Sequence, residues 1–250
     1  MKRDFKIWRG DAKGGDFLTY SIKLEQGMVV LDALHRIQVE KASELAVRWN
    51  CKAGKCGSCS MEINGSPKLA CMTRMNEFPP DTEIVIQPLK TFPLIKDLVT
   101  DVSWNYLQNK KIKPFNPGNK TLNQDRIMYQ QSVERIQEFR KCIECYLCQD
   151  VCLVLRDHYH QNKFVGPRFM IRLASLEMHP LDIEDRIPQI KDDYESGMCN
   201  ITRCCTDVCP EGIKITDNGI IPLKERVVDR FYDPLIWIYN KLFRGKNKQG

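Results

Sequence analysis

The sequence predicts a small α+β domain followed by an all-α domain, with the change near Trp104. Three observations carry that expectation. Short alternating apolar runs broken by turn signals occur in the N-terminal part. Helical spacing takes over from about Asp125. All 12 cysteines fall into three groups, one before the change of pattern and two after it.

Taken in order, Phe5 to Arg9 and Asp16 to Leu24 read as a hairpin, with Asp11 to Gly15 as its polar turn. Val29 to Lys41 reads as an amphipathic helix, with Val30, Leu31, Leu34, Ile37 and Gln38 along one side. Ser60 to Ile63 and Pro67 to Ala70 flank Asn64-Gly65, a strong tight-turn signal. Thr82 to Gln87 is expected to close the sheet. The first domain then spans residues 1–104. Residues 105–123, with Lys110, Lys111, Lys113, Lys120, two prolines and Gly118, read as a linker or irregular strap. Residues 124–250 form the helical domain. Ile127, Val133, Ile136 and Phe139 favour a helix that delivers Cys142, and further helices are expected after Cys152 to His160 and over Phe169 to Met178. Leu181 to Tyr194 reads as a polar helix limited by Pro188. Pro222 to Phe231 is another helix, and Asp233-Pro234 opens a last one.

A chain of 250 residues with 42% hydrophobic and 28% charged residues has the composition of a globular protein. Met1-Lys2-Arg3-Asp4-Phe5 leads into mixed polar sequence with no apolar signal core. Clustered cysteines are therefore expected to be metal ligands and not disulfides. No apolar run is long enough to span a membrane. The net charge of +6 suits solubility, or attraction to anionic lipid or acidic partners.

The first group reads Cys51-x4-Cys56-x2-Cys59 with Cys71 later, the plant-type [2Fe–2S] spacing. Gly54 and Gly57 are expected to let the backbone wrap closely around sulfur. A zinc site also accepts four thiolates, but zinc ribbons favour two C-x2-C knuckles and this group has one. The second group, Cys142-x2-Cys145-x2-Cys148-x3-Cys152, is the bacterial-type run in which the fourth cysteine serves the other cluster. On that rule Cys142, Cys145, Cys148 and Cys209 hold a [4Fe–4S] cluster. Cys152, Cys199 and Cys205 hold the other. Position 202, where a full run would have cysteine, is Thr202. The cluster is accordingly expected to be [3Fe–4S], leaving Cys204 as a free buried thiol or as a fourth ligand of a [4Fe–4S] cluster.

Other candidates are weaker. His158 and His160 could serve a proton path or a quinone, or be surface histidines. His35 is expected to be structural, and Asp192-Asp193 solvated. No phosphate loop, serine nucleophile or dinucleotide fingerprint occurs, so no catalytic residue is assigned.

Ala53-Gly54-Lys55-Cys56-Gly57-Ser58-Cys59, then Leu69-Ala70-Cys71, then the two-cluster domain with Cys209-Pro210-Glu211-Gly212, resembles the iron–sulfur subunit of succinate dehydrogenase and fumarate reductase. The resemblance covers nearly the whole chain. It implies a β-grasp plant-type ferredoxin domain followed by a bacterial-type one. It implies an electron path from an FAD-bearing flavoprotein through [2Fe–2S], [4Fe–4S] and [3Fe–4S] to quinone at a membrane anchor, with haem b in the anchor left open. The implied location is the cytoplasmic face of the bacterial inner membrane, held there by partner subunits. Two departures stand out. Leu153, Arg156 and Asp157 replace the proline and tryptophans that line the quinone site in many members, and Asn200 replaces a histidine. Their quinone contacts do not carry over, which points to a quinone held mostly by the anchor.

Pro234 to Lys248 pairs Leu235, Ile236, Trp237, Ile238, Leu242 and Phe243 with Lys241, Arg244, Lys246 and Lys248. It reads as a segment that docks at the membrane or anchor, or as a helix packed on its own domain. Two rival functions were weighed. A glycolate- or heterodisulfide-type oxidoreductase subunit would leave the [2Fe–2S] group unexplained. A nucleic-acid protein would need a stronger basic stripe than the dispersed lysines supply.

Overall fold

The structure is a computed structural model that describes residues 2–80, 82–118, 127–158, 164–235 and 238. β1 (Lys2–Asp11) and β2 (Gly14–Lys23) pair antiparallel along their whole length. Period-two alternation turns Phe5 and Ile7 of β1 into the core, both fully buried. β3 (Ser60–Ile63) and β4 (Ser66–Leu69) form the expected hairpin. Its turn takes positive φ at Asn64 (49°) and Gly65 (76°), as a tight two-residue turn requires. β5 (Ile84–Gln87) inserts between β3 and β1, antiparallel to the first and parallel to the second. β6 (Leu94–Lys96) and β7 (Val99–Thr100) extend the sheet to the order β4-β3-β5-β1-β6-β7, with β2 also on β1.

Helix α1 (Val30–Glu40) lays Val30, Leu31, Ala33, Leu34 and Ile37 on the sheet. The Val29 N–H donates to the Asp32 carboxylate (3.1 Å), which satisfies a free donor at the helix start. The Leu181 to Tyr194 expectation needs correction. Of that stretch only α7 (Ile187–Asp192) is helical, with Pro188 in its first turn where no N–H is needed. The strap differs too. Ser103–Lys111 forms helix α2. Beyond it the Arg186 guanidinium donates to the Lys113 and Pro114 carbonyls, both at 2.8 Å, and pairs with Asp182 at 2.7 Å. The strap is thereby tied to the helical domain. The part of it from residue 119 lies outside the described residues.

The helical domain runs α3 (Gln130–Gln137), α4 (Leu147–Asp150), α5 (Leu153–His158), α6 (Pro167–Glu177), α7, α8 (Cys204–Asp207) and α9 (Ile221–Phe231). A 3-10 turn, Glu138–Lys141, connects α3 to Cys142. A π-helical turn, Ile215–Ile220, feeds α9. Two hydrophobic cores result. One lies between α1 and the sheet; the other is built on α6 with Phe139, Ile190, Ile213, Ile220 and Leu223. The second cysteine group straddles them. Cys145, Tyr146 and Leu147 belong to the first core, and Cys148 and Cys152 to the second.

Candidate metal centres

The first cysteine loop folds around its sulfurs. The N–H groups of Ala53 and Lys55 donate to Cys51 Sγ at 3.4 and 3.3 Å. Those of Cys51, Cys71 and Gly54 donate to Cys56, Cys59 and Cys71 at 3.5, 3.4 and 3.3 Å. Such N–H···S bonds stabilise thiolate charge and favour metal-bound sulfur. Burial opposes ionisation of Cys56. Hydrogen bonds from the Ser58 hydroxyl and from the Cys51 and Ser58 backbone outweigh it and bring the thiol down to about 6. Burial pushes Cys59 up to about 12. Cys51 is exposed and Cys71 buried, so one rim of the loop opens to solvent.

Both glycines take the left-handed backbone, φ 65° at Gly54 and 67° at Gly57. At Gly57 a further reason adds to the expected one. A Cβ on Gly57 would stand 2.6 Å from the Cys145 Cα. Gly57 is therefore small because the second cysteine loop presses on the first. Ser60 ties the same contact, its hydroxyl within 2.8 Å of the Gly57 and Cys145 carbonyls.

In the helical domain the two runs repeat one backbone. Glu144 and Tyr146 have φ of 56° and 61°; Ile201 and Arg203, at matching places, have 59° and 66°. Tyr146 and Arg203 each precede a one-turn helix, α4 and α8. Thr202 therefore stands where Cys145 stands, Cys204 where Leu147 stands, and Cys205 where Cys148 stands. The first two residues make a near contact: Thr202 Oγ1 and Cys204 Sγ lie 3.2 Å apart. Cys204 Sγ also reaches the Val151 carbonyl at 3.5 Å.

Cys142, Cys145, Cys148 and Cys209 line one small, largely apolar cavity with Tyr146, Arg168 and Ile171. Burial pushes Cys145 up to about 12 and also raises Cys148, and the thiols beside Cys145 are Cys142 and Cys209. Burial raises Cys152 and Cys205 to about 11, and the thiols beside each of them are Cys204 and Cys199. Cys209 thus lines one space with Cys142, Cys145 and Cys148, Cys199 and Cys204 neighbour Cys152 and Cys205, and Cys205 also lies near Cys148. Thr216 Oγ1 lies 3.4 Å from Cys205 Sγ. Among the described residues no three His, Cys, Asp or Glu side chains converge on a point that would hold a single ion. Cys142, Cys145, Cys148 and Cys209 stand around a space, which suits a cluster better than one zinc. Holding one requires these buried thiols to lose their protons.

Spacing gave no sign of the ionic junction between the domains. Glu62 of β3 and Asp150 of α4 are fully buried. Arg156 of α5 pairs with both, at 3.1 Å to Asp150, and Lys90 pairs with Glu62 at 3.0 Å. Thr91 N–H donates to the Asp150 carboxylate at 3.1 Å. Arg156, which replaces a tryptophan of the quinone site in many members, is here spent on joining the domains. Burial and nearby Glu62 push Asp150 up to about 6 against the Thr91 N–H and Arg156. Lys55 and Glu211 add a bridge at 3.0 Å between the first loop and the segment after Cys209.

His35 stacks edge-on against Trp49 at 4.8 Å, and burial lowers its pKa, as a packing residue's would be. The His158 side chain, His160 and most of the segment from Pro234 to Lys248 lie outside the described residues. No helix among the described residues is long and apolar enough to cross a membrane.

Residues 4–106 match the model of a 2Fe-2S iron–sulfur cluster binding domain, and residues 138–213 that of a 4Fe-4S dicluster domain. A chain in the solved structure of the Mycobacterium smegmatis Sdh1 complex in the apo form is 54% identical. The match has a TM-score of 0.91 and covers 94% of this chain and 98% of that one. An uncharacterized iron–sulfur protein of Methanococcus maripaludis is 31% identical over 218 residues. That is 83% of this chain but 41% of the curated relative's length. A hypothetical protein from Helicobacter pylori, 14% identical with a TM-score of 0.50 over 98% of this chain and 43% of that one, shares the fold alone.

Proposed function

The chain belongs to the family of iron–sulfur subunits of succinate dehydrogenase and fumarate reductase, and from that premise we propose which centres it holds and which partners it joins. It is an electron-transfer subunit of an oxidoreductase complex. In our reading Cys51, Cys56, Cys59 and Cys71 hold [2Fe–2S]; Cys142, Cys145, Cys148 and Cys209 hold [4Fe–4S]; Cys152, Cys199 and Cys205 hold [3Fe–4S], with Thr202 at the corner without thiolate. When bound, the three clusters supply one-electron conduction between succinate oxidation at an FAD-bearing flavoprotein and quinone at a membrane anchor, in either direction. The chain supplies no substrate-oxidising site of its own. The observation that carries this reading is the gathering of Cys142, Cys145, Cys148 and Cys209 around one apolar space, with a loop of the first cysteine group pressed against Cys145.

The residues do the rest. N–H donors hold the first sulfurs, apolar walls keep water from the middle set, and the Gly57–Cys145 contact brings the first two centres together. The third group opens outward. Leu153, Met198 and Ile201 are exposed near it, as are Val228, Phe231 and Tyr232 on and beyond α9. That apolar rim is where the anchor would dock, with quinone beyond it, haem b being an option of the anchor. The subunit would then sit peripherally at the cytoplasmic face of the membrane, and it binds no nucleic acid.

The test is purification from membranes with a tag on this chain. A flavoprotein and an apolar anchor should co-purify, and succinate should reduce all three cluster signals in electron paramagnetic resonance. A preparation in which succinate with flavoprotein present reduces no cluster overturns the reading.

A further inference from the structure

The middle thiol set has an unusual neighbour. Arg168, the second residue of α6, lines the same cavity as Cys142, Cys145, Cys148 and Cys209, and it is 6% exposed. Gly166 delivers it. That residue has φ of 85°, and a Cβ there would meet Gln149 Oε1 at 2.1 Å. Gln149 Oε1 in turn accepts the Arg168 N–H at 3.2 Å, which fixes the start of α6 against the cysteine helix. The guanidinium bonds the Glu144 carboxylate through one Nη and lies 5.5 Å from the Phe169 ring. Its Nε–H is buried with no acceptor among the described residues.

This cation is incompletely compensated. Its one carboxylate partner, Glu144, is 45% exposed, so water screens that partner's charge. A buried guanidinium with an orphaned donor is costly unless another anion completes it. A cluster held by four thiolates is such an anion, and its sulfurs are hydrogen-bond acceptors.

Resting on the cluster assignment above, we propose that Arg168 is a positioning residue for electron flow that raises the reduction potential of the [4Fe–4S] cluster. The reduced cluster carries one more negative charge than the oxidised one, so a fixed buried cation stabilises the reduced form more. The step it eases is the passage of one electron from the reduced [2Fe–2S] cluster to the oxidised [4Fe–4S] cluster, with no bond or proton changing place.

The experiment is a redox titration of the whole complex, following the three cluster signals separately. Arg168→Gln should lower the [4Fe–4S] potential, leave the other two potentials in place and keep iron content unchanged. Arg168→Lys should return it toward wild type. Glu144→Gln, which deletes the opposing charge and keeps Arg168, should move it the other way. The Arg168→Gln shift should persist at high salt, since a buried charge is weakly screened. A four-iron potential that stays put in Arg168→Gln, or that falls equally in Arg168→Lys, overturns the inference and leaves the cluster assignment standing. Should Arg168→Gln fail to assemble, a potential in Glu144→Gln that falls or stays put overturns it instead. Wild-type complex without any four-iron signal overturns the assignment and the inference together.

Discussion

Thr202 shows how much a single position can tell. Spacing alone gives it an expected role, because a full run from Cys199 needs cysteine there. The matching left-handed residues around Cys145 and Thr202 give that reading a backbone basis. Thr202→Cys is expected to admit a fourth iron at the last cluster, raising the total from about nine to about ten per chain. Its potential should fall, because the added thiolate makes the cluster more anionic. Iron analysis with titration of the oxidised three-iron resonance checks both. Cys204→Ala should leave all three signals in place, since Cys204 stands where Leu147 stands, whereas Cys205→Ala should abolish the third. Loss of the third signal in Cys204→Ala would reverse that assignment. Gly57 was legible as a special residue, but no spacing rule reveals that Cys145 also presses on it. Gly57→Ala puts a methyl 2.6 Å from the Cys145 Cα at a positive φ. A cost of roughly 2–4 kcal/mol from overpacking and backbone strain is expected. Parallel thermal scans of variant and wild type measure it.

At the scale of elements, α1, the β3–β4 hairpin and α9 were legible because local signals and tertiary packing agree there. β6, β7 and α2 were not. The two strands are too short for periodicity, and α2 is polar and lysine-rich, its burial of Asn105 being settled by the helical domain packed on it. The ionic junction was hidden for a related reason. Glu62 occupies a strand position that reads as solvated and becomes buried only when α4 and α5 cover it. Arg156→Leu removes the cation between two buried carboxylates, and about 3–5 kcal/mol should be lost. Its electron paramagnetic resonance signals should survive at low temperature and disappear earlier on heating. Asp150 gives this junction a pH dependence of definite sign. Its folded pKa, about 6, lies above the ordinary 3.8, so the native state holds its proton more tightly than the unfolded chain. The stability from that group is complete below the unfolded pKa and is lost as pH rises through about 6. Wild type should therefore lose stability relative to Asp150→Asn between about pH 4 and 6 in urea unfolding. A difference that stays flat or grows across that window would remove Asp150 as its source.

The whole molecule is a two-domain chain in which one loop of the helical half packs into the core of the sheet half. Composition and periodicity changed near Trp104, and the fold classes of both halves follow from that change. The packing follows something else. The Cys142 to Cys152 run belongs to the helical domain by sequence, yet Tyr146 and Leu147 complete the core under the sheet. Tyr146 is buried and meets Phe92 edge-on at 6.1 Å. One short loop thus presents Cys148 and Cys152 to the helical core and Cys145, Tyr146 and Leu147 to the sheet domain. The two cores should therefore melt as one unit, because unfolding either one exposes the other's closing residues. Tyr146→Ala tests this. The substitution keeps a non-glycine residue at the φ of 61°, so backbone strain is unchanged and the loss is packing. A buried aromatic truncated to alanine costs about 3–5 kcal/mol. In wild type, loss of the [2Fe–2S] visible signal and loss of far-ultraviolet helical signal should coincide on heating. In the variant the [2Fe–2S] signal should go first, with the helical domain holding its own transition. Wild type showing two separate transitions would mean that the loop is a passive bridge, and that each domain is stable without the other's residues.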